Sequence, residues 1–102
     1  MEGIGMLKSV EAKDPNNIKA LINLGYFGIK SGQYEKAEGR FNQVIAIDKT
    51  YAEAYLYLAD LHERQKLYKE AIADLENFKS LIDDPKKVGE VDDYILELSK
   101  NI

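Results

Sequence analysis

Apolar residues return at steps of three and four along most of the chain, and the two-residue alternation of a strand is absent throughout. Ala20, Leu21, Leu24, Phe27 and Gly28 form one such stripe, which Ser31-Gly32-Gln33 interrupts before a second runs through Ala37, Phe41, Val44 and Ile47. This spacing predicts two helices folded back on each other. Tyr55, Leu58, Ala59, Leu61 and His62, a polar Arg64-Gln65-Lys66 break, and then Ala71, Leu75, Phe78 and Leu81 predict a second pair. Val88, Val91, Ile95, Leu98 and Ile102 predict a terminal helix whose single apolar face lies against that second pair.

The two pairs are copies of one pattern. At a shift of 34 positions, residues 18–51 align with 52–85, with identities at Ala20/Ala54, Leu24/Leu58, Tyr34/Tyr68 and Ala37/Ala71. Other aligned positions keep size and polarity: Leu21/Tyr55, Ile22/Leu56, Phe27/Leu61, Phe41/Leu75, Val44/Phe78 and Ile47/Leu81. A period of this length that preserves packing residues is the mark of a stacked repeat rather than of one irregular core. Small residues fall where helices must touch: Gly25 and Ala59 in the first helices, Ala37 and Ala71 in the second.

These residues resemble the tetratricopeptide repeat family, whose signature runs W-x2-L-G-x2-Y, then A-x3-F, then P. The first unit carries Leu21-x2-Leu24-Gly25-x2-Gly28 and Ala37-x3-Phe41, and the second Tyr55-x2-Leu58-Ala59-x2-His62 and Ala71-x3-Leu75. Tryptophan is missing, Gly28 and His62 replace the signature tyrosine, and Lys49 stands where the first repeat would end in proline. The resemblance implies an all-α chain, an α-α superhelix of stacked antiparallel hairpins forming a single domain. Its expected parts are the second helix of a truncated repeat over 1–17 (Gly3, Leu7, Val10, Pro15), repeats over 18–51 and 52–85, and a capping helix over 86–102.

Composition narrows the chemistry. The 102 residues include no cysteine, which removes disulfides, thiol nucleophiles and cysteine-held zinc. Fourteen basic against 18 acidic residues leave a net charge of -4, a poor match to nucleic acid. No apolar run is long enough for a membrane span, and the first residues lack the pattern of a secretory signal; the chain as given reads as cytoplasmic, or as exported if it belongs to a longer secreted protein. His62 is the only histidine, lies on a packed stripe and has no companion in a metal or nucleophile pattern, so it is expected to be structural. Asp83-Asp84 and Asp92-Asp93 lack the spacing of a calcium loop and are expected to start helices. Gly25, Gly28 and Gly32 do not follow the phosphate-binding order, and Tyr34, Tyr55 and Tyr68 are expected to fix the hairpins. Neither an enzyme site nor a cofactor or metal site is expected.

What remains is binding. In the family the first helices of the hairpins line a concave groove that holds peptides or helices of other proteins. Carried over position by position, that face comprises Lys19, Ile22, Asn23, Tyr26, Ile29 and Lys30, then Glu53, Leu56, Tyr57, Asp60, Glu63 and Arg64. The carboxylate clamp of co-chaperone relatives is absent, because Ile22, Tyr26 and Tyr57 occupy its places. The expected function is therefore a non-catalytic protein-interaction scaffold. The alternative is structural self-association, with homo-oligomers formed through the terminal helices.

Overall fold

The computed structural model describes residues 17–102, and every described secondary-structure element is a helix. They are α1 (Ile18–Lys30), α2 (Tyr34–Ile47), α3 (Ala52–Arg64), α4 (Tyr68–Leu81) and α5 (Pro85–Ser99). The expected partial repeat at Gly3, Leu7, Val10 and Pro15 lies outside the described residues. The chain divides into two compact units, one ending at Lys49 and one spanning Thr50–Ile102.

In the first unit α1 packs on α2. Asn17 caps α1, its side-chain oxygen accepting from the Ala20 amide at 2.9 Å, an interaction worth about 1 kcal/mol. Leu21, Gly25, Gly28 and Ile29 are buried along α1, and Ala37, Phe41 and Val44 along α2. Gly25 and Gly28 are small of necessity. A Cβ at Gly25 would stand 2.5 Å from Phe41 Cζ, and one at Gly28 would stand 3.0 Å from the Ala37 Cβ.

Phe27 departs from expectation, being 65% exposed. It stands seven residues beyond the buried Ala20, so at about 100° per residue it lies at the edge of the buried face, on the side that α2 leaves uncovered. Its counterpart Leu61 is fully buried in the second unit. A three-and-four spacing places both on the apolar stripe and does not say which edge of that stripe is covered.

The second unit packs α3 on α4 and α5 on α4. Ala59, Ala71, Leu75, Phe78, Val91 and Leu98 form one buried cluster, so α5 does lie along the second hairpin by the predicted stripe. Asp84 caps α5 through the Lys86 and Lys87 amides at 3.1 and 3.3 Å, and Pro85 takes the first turn, where its missing N–H costs nothing. Asp92 and Asp93 stand inside α5 and not at a helix start, because the Asp84-Pro85 pair supplies a stronger start signal. Ile102 falls beyond the helix and is 64% exposed.

The two hairpin turns are the same device. Gln33 N donates to Gly28 O and Leu67 N to His62 O, each at 2.8 Å, while Gly32 N and Lys66 N close the inner bonds to Ile29 O and Glu63 O. This double closure requires a left-handed residue, which is Gly32 (φ 77) in the first turn and Lys66 (φ 63) in the second. A side chain in that conformation costs about 1 kcal/mol. Lys66→Gly is expected to raise the stability of the second unit by about that amount, measured by urea unfolding.

Candidate functional site

The candidate binding residues lie on α1 of the first unit and α3 of the second. On α1, Lys19, Asn23, Tyr26 and Lys30 are exposed and Ile22 is half-buried. Tyr26 is 45% exposed, and the Lys30 ammonium lies 5.4 Å from the centre of its ring, within reach of a cation–π attraction. Ile29 does not join them. It is 1% exposed, because it stands one turn beyond Gly25 on the buried face of the hairpin.

On α3, Glu53 and Arg64 are exposed, while Leu56, Tyr57, Asp60 and Glu63 are half-buried. Arg64 Nε donates to Asp60 Oδ1 at 3.2 Å along one helix face, an exposed pair worth a few tenths of a kcal/mol, about 0.3–0.5. Glu63 is engaged by the terminal helix: its carboxylate accepts a hydrogen bond from the Tyr94 hydroxyl of α5. Burial and the Glu63 carboxylate hold the Tyr94 phenol well above its usual value near 10. A group whose folded value is raised contributes stability that is whole below the unfolded value and is lost as the pH rises through the folded one. The terminal helix is therefore expected to loosen above pH about 10. Tyr94→Phe should cost about 1 kcal/mol at neutral pH and flatten the alkaline fall, as read by thermal melts from pH 7 to 11. Lys79 adds a second tie to α5, its ammonium reaching Asp92 at 2.5 Å and Glu76 at 2.9 Å. Those two carboxylates raise its pKa.

His62 is structural, as its position on the stripe implies, and the structure supplies the partner that sequence reading missed. Its Nδ1 faces Asp74 Oδ2 of α4 at 2.5 Å, and the two residues are only 8% and 9% exposed. Asp74 sits among buried positions of α4, between Ala71 and Leu75. A carboxylate on an otherwise apolar stripe beside a lone histidine was the signal available in the sequence.

Among the described residues no group of three or more His, Asp or Glu side chains converges as a metal site would require. No helix among them is long and apolar enough to cross a membrane. A shallow open hollow beside the start of α4 is bordered by Leu67, Tyr68 and Ile102, and none of the candidate binding residues lines it.

Paired antiparallel helices, a 34-residue period and identical turn closures define a helical-hairpin repeat protein. The family model of the tetratricopeptide repeat matches residues 28–76, from the end of α1 into α4. The fold is similar to the crystal structure of MamA, with a TM-score of 0.66 and 29% identity over 93% of this chain. The chain spans 58% of the length of that protein's chain. No curated protein sequence matches it. Residues 28–76 thus carry the tetratricopeptide repeat pattern, and a protein-interaction role is consistent with it.

Proposed function

We propose that this chain is a non-catalytic scaffold that binds a peptide or helix of a partner protein on the outward faces of α1 and α3. The observation that carries the reading is Tyr26, a large aromatic kept 45% exposed on α1, where an amphipathic ring with two rotatable bonds offers contact area at low entropic cost. Ile22, Leu56 and Tyr57 are half-buried and extend the apolar content of the two faces. Ile29 is left out of the proposal because it is packed inside the hairpin.

Partners recovered from the native host and tested by titration calorimetry should bind Tyr26→Ala and Leu56→Ala at least about tenfold more weakly, a loss of the 1–2 kcal/mol size typical of interface anchors. Helicity should be unchanged. Equal affinity for both variants and the parent chain would remove the binding faces.

A second reading is favoured by Leu96, which is 64% exposed on α5. An isolated apolar residue is ordinary on a surface, but this one stands on the terminal helix, where the alternative reading of the sequence puts self-association. Sedimentation across a wide concentration range decides it: a dimer that Leu96→Glu dissolves supports association through α5, and a monomer at every concentration eliminates it.

A further inference from the structure

We infer that the outer stripe of α1 docks an extended segment whose chemistry is acidic, apolar, acidic. This rests on the proposed binding role of α1 and specifies the partner's side chains. Lys19 and Lys30 are the only charged residues of the helix, which holds no carboxylate. They stand 11 positions apart, so at about 100° and 1.5 Å per residue they lie on one side of the helix, with backbones roughly 16 Å apart. Asn23 and Tyr26 fill the stripe between them, Ile22 borders one edge, and the exposed Phe27 borders the other.

Among the described residues these two charges are not spent on ion pairs. Lys79, Lys87 and Lys100 each pair with acidic side chains, whereas neither Lys19 nor Lys30 joins an ion pair among the described residues. Lys19 is also in the wrong place for helix stability. It occupies the first turn of α1, which carries no acidic residue, and a cation beside the positive end of the helix dipole is disfavoured. A carboxylate docked there would meet the lysine and the dipole favourably.

Lys30 leans back over Tyr26, which shortens the distance between the two ammonium groups to somewhere between about 10 and 16 Å. An extended chain advances about 3.3 Å per residue and turns every second side chain to the same face. Carboxylates at positions i and i+4 are then about 13 Å apart on one face, with the residue at i+2 aimed between them at Tyr26 and Asn23. The matching segment is therefore Glu-x-Phe-x-Glu or its aspartate and leucine equivalents.

Fluorescence anisotropy on the full chain tests this with three labelled peptides: the Glu-x-Phe-x-Glu form, an isomer with the two glutamates adjacent, and a Lys-x-Phe-x-Lys form. The first should bind at least about tenfold tighter than the third and more tightly than the isomer, with affinity falling as salt is added. Lys19→Glu and Lys30→Glu should each weaken it about threefold to fivefold, and together they should reverse the preference toward the lysine peptide. Unchanged preference in the double variant overturns the inference. Tighter binding of the lysine peptide to the parent chain, lost in Tyr26→Ala, also overturns it while leaving α1 as a docking face. If Tyr26→Ala alters no peptide's affinity, the binding role of α1 falls as well.

Discussion

Asp74→Ala lowers the stability of the second unit by about 3 kcal/mol, more than any other single truncation expected here. The reason is the geometry of the His62–Asp74 pair, 2.5 Å apart with both residues at least nine-tenths covered. Deleting the carboxylate removes the acceptor facing a buried N–H that water reaches poorly, so the imidazole loses much of its compensation for leaving solvent. In a unit of this size the loss corresponds to a fall of more than about 10 °C in melting temperature. His62→Leu with Asp74→Leu should recover most of it, since two apolar groups leave no buried polar atom to satisfy. Hydrogen exchange at α3 and α4 amides localises the effect. A loss under about 0.5 kcal/mol for Asp74→Ala would show that the pair contributes little beyond its desolvation cost.

Gly25→Ala destabilises the first unit by about 1–3 kcal/mol, although alanine is the better helix former. The added Cβ would stand 2.5 and 2.6 Å from ring atoms of Phe41, which is itself fully buried and has no open side to move toward. The second unit solves the same contact differently, with Ala59 and Leu75 at the corresponding positions of its core cluster. Gly25→Ala combined with Phe41→Leu imports that pair and should cost less than the sum of the two single changes. Gly89→Ala is the control. Its Cβ meets nothing within 4 Å, so the same substitution should stabilise by about 0.5–1 kcal/mol. If Gly25→Ala raises the melting temperature as Gly89→Ala does, the hairpin is looser at Phe41 than its distances imply.

Much of the fold was legible because repeat packing is written locally. A hairpin of this kind needs small residues at the crossing, apolar ones at helical spacing and a turn between. Gly25, Ala37, Phe41 and Val44 supply the first two within one 34-residue unit. The end of α1 was readable at Ser31-Gly32-Gln33 for the same reason, and the stripe from Val88 to Leu98 fixed the face of α5. Its start beside Asp83-Asp84 was legible too, whereas Asp92-Asp93, expected to start a helix, lie inside α5, since charge alone does not distinguish a cap from a solvated helix face.

Three matters were decided only by tertiary structure. Phe27 and Ile29 both occupy apolar positions of α1, yet one is 65% and the other 1% exposed, because exposure depends on which neighbour covers each side of the helix. Asp74 became the partner of His62 across 12 positions, a pairing set by how α3 and α4 cross. Glu63 was drawn to Tyr94, 31 positions away, by the seating of α5. Periodicity along a chain fixes which residues share a face. What that face meets, another helix, a buried charge or water, is settled by burial in three dimensions, where solvation energies and not spacing select the partner.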